Sequence, residues 1–88
     1  VKLVFSSGAW QDYLHWQGHD PAVLARLNAL IEESRRTPFH GTGKPEPLRR
    51  DLQGWCSHRI TLEDRLVYRV AGTGEDQRLE ILQCRYHY

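Results

Sequence analysis

Asp20-Pro21 divides the first third of this chain into two segments that each read as a helix. Proline disfavours helical backbone in the residue before it yet fits a helix's first position, and an aspartate ahead of it can cap the new helix. Upstream, Ala9, Trp10, Tyr13 and Trp16 recur at three-to-four-residue spacing behind Ser6 and Ser7, either of which can cap, and Gly18 is expected to end the helix. Downstream, Val23, Leu24, Leu27, Leu30 and Ile31 form one apolar face, and Arg35 and Arg36 suit the negative C-terminal end. The short link around His19 makes the pair a helical hairpin, and its tryptophans read first as core.

The remainder is strand and turn. Residues 2–5 read as a short strand, residues 55–61 and 65–70 as a hairpin around Leu62, Glu63 and Asp64, and residues 79–86 as a further strand after a turn at 72–76. If Thr61 pairs with Arg65, Arg59 faces Val67, and Ser57, Arg59, Thr61, Arg65, Val67 and Arg69 share one face. The other face, with Ile60, Leu66, Tyr68 and Val70, is apolar enough to pack on the helices, so the arginine-bearing face is expected to line an open groove. Residues 37–50 have the glycines and prolines of an ordered loop. That loop is no phosphate-binding P-loop, because Gly43-Lys44 is followed by Pro45, which lacks a backbone N–H.

Eighty-eight residues suffice for one domain, 1–88, and leave no core for a second. Cys56 and Cys84 show no metal-ligand spacing and read as reduced, buried thiols. No apolar run reaches the ~20 residues of a membrane span, and no secretory signal is evident, so a cytoplasmic protein without membrane contact is expected. Charge is unevenly spread. Residues 1–34 carry Lys2 and Arg26 against Asp12, Asp20, Glu32 and Glu33, a net of −2, whereas residues 35–69 carry eight basic against four acidic residues, a net of +4. The middle of the chain therefore suits a polyanion, with solvated surface arginines as the plain alternative.

Cutting RNA without a metal needs a base for the 2′-hydroxyl, an acid for the departing 5′-oxygen, and cations for charge gathering on phosphorus. Glu46, between two prolines that stiffen its backbone, is the candidate base; Arg59 and Arg65 are candidate cations. His87 is the candidate acid, since imidazole titrates near neutral pH, and Tyr86 and Tyr88 offer faces for stacking bases. Each has a duller reading: a solvated loop carboxylate, arginines in weak surface ion pairs, a frayed chain end. His15, His19, His40 and His58 form no ligand set and read as surface or packing residues.

Resemblance goes further than pattern. The runs RRTPFHGTGKPEPL (35–48), HRITLEDRLVY (58–68) and CRYHY (84–88), with Trp10, Tyr13 and Trp16 in the first helix, resemble the YoeB (Txe) toxins of the RelE superfamily along essentially the whole chain. The resemblance implies an α+β, microbial ribonuclease-like fold in the order β-α-α-β-β-β, two helices packed on a mostly antiparallel sheet. It implies a toxin of a bacterial type II toxin–antitoxin pair that enters the ribosomal A site and cleaves messenger RNA there, stopping translation, with no metal or cofactor. By the same resemblance Glu46 is the general base, Arg65 the phosphate-stabilising arginine, His87 the general acid and Tyr88 the terminal aromatic of the active site. Lys44, Arg49 and Arg59 fall where relatives place substrate-contacting basic residues. The implied partners are messenger RNA on the ribosome, a YefM/Phd-like antitoxin, and operator DNA reached through the antitoxin complex; a homodimer is left open. The competing class is a non-catalytic basic module that grips RNA or DNA, for instance as a corepressor.

Overall fold

Ser6 joins three elements at one point. Its N–H donates to the Ile81 carbonyl (3.0 Å), its hydroxyl donates to the Leu82 carbonyl (2.7 Å), and the same oxygen accepts from the Ala9 N–H (3.0 Å). It thus ends strand β1 (Lys2–Phe5), caps helix α1 (Ser7–His19) and ties both to strand β5 (Arg78–Gln83). The computed structural model describes residues 1–37 and 45–87, so Lys44, Tyr88 and most of the Gly-rich part of the expected loop lie outside the described residues.

Asp20 works at two ends at once. Its N–H closes α1 on the Trp16 carbonyl (3.0 Å) and its carboxylate opens α2 (Pro21–Arg36) by accepting from the Val23 N–H (3.2 Å), with Pro21 in the first turn. Helix α1 runs one residue past Gly18 because Asp20 supplies the cap and no glycine is needed there. His19 Nδ1 lies 2.8 Å from the His15 carbonyl, which calls for the Nδ1–H tautomer, and the two rings stack with centroids 4.4 Å apart. On α2, Leu27, Leu30 and Ile31 are buried as the apolar stripe requires, with Val23 and Leu24 packed beside them.

The sheet has five strands in the order β1-β5-β4-β3-β2, where β2 is Glu46–Pro47, β3 is Cys56–Arg59 and β4 is Arg65–Ala71. β1 and β5 run parallel and all other neighbours antiparallel. The expected order of four strands therefore gains one. β2 was hidden because it is two residues long and half proline, a composition that only an edge strand tolerates. Ile60, Leu66, Tyr68, Leu79 and Ile81 meet Ala9, Trp16 and the α2 stripe in one core.

Two expectations about the tryptophans and the hairpin need correction. Trp16 is buried, but Trp10 is 46% exposed, stacking on Tyr13 and meeting Phe5 edge-on at the rim of the core. In the hairpin, Arg59 faces Arg65 and Ser57 faces Val67, two residues away from the expected pairing. Thr61 is the cause. Its N–H and that of Ile60 both donate to the Asp64 carbonyl, and its hydroxyl oxygen accepts from the Glu63 and Asp64 N–H groups, so Thr61 belongs to the turn. A slip of two leaves every side chain on its expected face.

The arginine-bearing face is not open along its length either. Ser57 and Val67 on that face are buried, at 1% and 0% exposure, which leaves Arg59 and Arg69 as its exposed cations. An alternation that includes Val67 puts an apolar group on the second face, and covering it outweighs leaving a groove. Finally, β5 stops at Gln83, whereas a strand to residue 86 was expected: its pairing with β4 carries a register shift at Val67/Tyr68, and Tyr86 takes left-handed backbone at φ +65°.

Candidate active site

Glu46 sits directly opposite Ser57, and Ser57 opposite Val67, so one row runs across β2, β3 and β4. Two residues further along, at ~3.3 Å rise per residue, Arg59 faces Arg65. Glu46, Arg59 and Arg65 therefore share the sheet face turned away from the helices. Glu46 and Arg59 are exposed; Arg65 is half-buried, and its Nε is buried without a hydrogen-bond partner among the described residues. A guanidinium with one N–H withdrawn from solvent and unpaired among the described residues has a donor left for an anion.

The chain end comes to the same place. The Arg65 N–H donates to the Tyr86 carbonyl (2.9 Å), and Gln83 Nε2 donates to the Arg85 carbonyl (3.2 Å). His87, exposed and adjacent to that anchored peptide, therefore begins at the Arg65 end of the row. Tyr86 is 59% exposed with the Arg85 guanidinium 4.4 Å from its ring centroid, so one ring face already holds a cation.

Glu46 also lines a concavity of about 970 Å³ with Pro47, Leu48, Arg49, Arg50, Gln53 and Gly54. Arg65 and His87 do not line it. Arg49 thus stands beside Glu46, and with it Arg50, a residue that the sequence reading passed over. Arg50 has left-handed backbone (φ +58°) and begins a short 3-10 turn to Leu52. Such strained non-glycine backbone gathers at functional sites, and here Arg50 lies beside Glu46 while Tyr86 lies beside Arg65. The adjoining Arg49-Arg50 pair was the only sequence signal, and it read simply as charge.

Further along this face, Glu80 accepts from Arg78 Nε (2.7 Å) and Arg69 Nε (2.6 Å), and these hydrogen bonds, that from Arg78 first, hold its carboxyl below the usual range. Arg69 also lies over Trp55, 4.4 Å from its ring centroid. These arginines are engaged in structure, whereas among the described residues the side chains of Arg59 and Arg65 have no carboxylate partner. Among the described residues no group of three or more His, Cys, Asp or Glu is placed to hold a metal ion, and no helix is long and apolar enough to cross a membrane.

Comparison with known proteins finds a family match over residues 5–88, to the YoeB-like toxin of bacterial type II toxin–antitoxin systems. The chain is 51% identical over 88 residues to the Toxin YoeB of Escherichia coli (strain K12), covering 100% of both. Among solved structures it is similar to the YoeB/ParE toxin from Agrobacterium tumefaciens, with a TM-score of 0.95 and 52% identity over 100% of each chain. It also matches a chain of the YoeB-YefM complex from Staphylococcus aureus, with a TM-score of 0.87 and 36% identity over 100% of this chain and 98% of that one.

Proposed function

This chain belongs to the YoeB-like toxins of bacterial type II toxin–antitoxin systems, and from that premise we propose that it is a ribosome-dependent endoribonuclease that cuts messenger RNA in the A site. The observation that carries the reading is the shared sheet face of Glu46, Arg59 and Arg65, with the chain end tied to Arg65 through Tyr86.

The chemistry follows from the side chains. Glu46 takes the proton from a 2′-hydroxyl, and the freed oxygen attacks the adjacent phosphorus. Arg65, aided by Arg59, offsets the negative charge that gathers on the non-bridging oxygens as the fifth bond forms. His87 gives a proton to the departing 5′-oxygen. The upstream fragment then ends in a 2′,3′-cyclic phosphate and the downstream fragment begins with a 5′-hydroxyl. Arg49 and Arg50 beside Glu46 suit the flanking phosphates, and Lys44 and Tyr88 would complete the site. The message needs the ribosome because it must be held with its 2′-oxygen in line with the leaving oxygen, and positioning of that kind supplies a large share of catalysis.

The partner that silences the toxin is an antitoxin of the YefM kind, as in the Staphylococcus aureus complex, with acidic residues facing Arg59, Arg65 and Arg49. The joint complex would reach operator DNA through the antitoxin. All of this takes place in the bacterial cytoplasm, where messages are translated. The test uses Glu46→Gln and His87→Gln proteins added to ribosomes loaded with a defined message. Loss of about 10²–10⁴-fold in cleavage rate for each supports acid–base catalysis. Ribosomes that stall with the message intact in the presence of wild-type protein would favour a binding module.

A further inference from the structure

Beyond Gln83 the chain leaves the sheet, and a segment without a ladder normally frays at a chain end. Here side chains take the place of the ladder. The Cys84 N–H donates to Asp12 Oδ2 (3.1 Å), and its carbonyl accepts from Trp16 Nε1 (2.8 Å), both on α1. The Tyr86 N–H donates to Asp64 Oδ1 (2.7 Å), while the Tyr86 carbonyl is held by the Arg65 N–H. Asp64 is itself fixed: its Oδ2 accepts from the Thr61 hydroxyl (2.7 Å), and its N–H donates to the Thr61 oxygen (3.1 Å). One residue of the hairpin turn therefore grips the peptide that precedes His87 and immediately precedes Arg65.

We propose that Asp64 is a positioning residue for the reaction: its carboxylate ties the Tyr86 amide, and with it His87, to the turn that carries Arg65, while Asp12 fixes the start of the same segment from α1. This rests on the endoribonuclease reading above. A charged acceptor makes a shorter and stronger hydrogen bond than a neutral one, which suits a tether that must hold an exposed, left-handed peptide. Releasing it lets His87 drift, and a displacement of about 1 Å at a reacting group costs on the order of 10²-fold in rate.

The test compares Asp64→Ala, Asp64→Asn and Asp12→Ala with the wild type in ribosome-dependent cleavage, together with hydrogen exchange at the Tyr86 amide. Asn keeps the Oδ1 acceptor that faces Tyr86. Asp64→Ala is expected to lower kcat by about 10- to 100-fold with KM little changed, and to deprotect the Tyr86 amide. Asp64→Asn restores most of the rate. Asp12→Ala, which leaves the hairpin turn untouched, lowers kcat in the same sense. Wild-type kcat in Asp64→Ala, or equal losses in the Asn and Ala variants, overturns the tether. If Asp64→Ala does not fold, wild-type kcat in Asp12→Ala overturns it instead. A wild-type protein that cuts nothing sinks the nuclease reading, and an unchanged Tyr86 amide in Asp64→Ala would then show separately that Asp64 holds nothing.

Discussion

Arg59 and Arg65 stand directly opposite each other across β3 and β4. The Arg65 N–H points to Tyr86 and away from β3, so the two form a non-hydrogen-bonded pair, the kind whose side chains approach closest in an antiparallel ladder. Like charges so placed repel each other until an anion comes between them.

Replacing one of the pair should therefore steady the fold while harming the site. Arg59→Thr, which suits a strand, is expected to raise stability by about 0.2–1 kcal/mol at low salt and to weaken RNA binding. Urea unfolding with and without added salt checks this, since screening should shrink the gain. A variant less stable than wild type at low salt would mean that the two guanidinium groups do not repel.

His58 makes stability depend on pH. It is buried, stacked on Tyr68 with ring centroids 5.7 Å apart, and burial pushes its imidazole below the usual 6.5; Glu33 opposes the shift and Arg26 adds to it. The unfolded chain takes up a proton near 6.5 while the folded one resists, so this contribution is intact above 6.5 and is lost as pH falls below it toward the folded value. His15 is shifted in the same direction, by burial, then Arg85 and His19. His58→Phe should flatten the decline in urea midpoint between pH 7.5 and 5.5 without abolishing it. An unchanged slope would mean that His58 is not kept neutral by the fold.

The two helix tryptophans should respond differently. Trp16→Phe strands the buried Cys84 carbonyl and is expected to cost roughly 1–3 kcal/mol, whereas Trp10→Phe keeps the ring contacts of an exposed side chain and should stay within about 0.5 kcal/mol. Thermal unfolding of the two variants distinguishes them, and equal losses would contradict the burial difference.

Cys84 should be inert while the protein is folded. It is fully buried, and burial, with Asp12 adding to it, pushes its thiol up to about 12. Iodoacetamide at pH 8 is expected to modify Cys84 only on unfolding, with half-buried Cys56 reacting sooner. Labelling of Cys84 in the native protein as fast as a free thiol would contradict this.

The parts of the fold that could be read from residue order are those set by local chemistry. Asp20-Pro21, the α2 stripe and the face shared by Arg59 and Arg65 depend on neighbours within a turn or a strand, and they stand where the pattern put them. What escaped depends on distant partners. β2 is a strand only because Ser57 and Cys56 lie alongside it, and Trp10 stays exposed because it meets Phe5 of β1 edge-on at the rim of the core. The hairpin register turned on Thr61 serving Asp64, a choice invisible in a run of β-prone residues. For the proposed site, Glu46, Arg59 and Arg65 could be put forward from their chemistry and from resemblance. Asp64 and Asp12 could not, because nothing in the order of residues announces that they reach a chain end 22 and 72 positions away.

The most direct measurement is of the RNA ends left on ribosomes programmed with a defined message after adding this protein. Concerted action of Glu46, Arg65 and His87 on one phosphodiester requires an upstream fragment ending in a 2′,3′-cyclic phosphate and a downstream fragment with a 5′-hydroxyl, both missing with Glu46→Gln. Ends bearing a 3′-hydroxyl and a 5′-phosphate, or cyclic ends produced at the full rate without the Glu46 carboxylate, would contradict it.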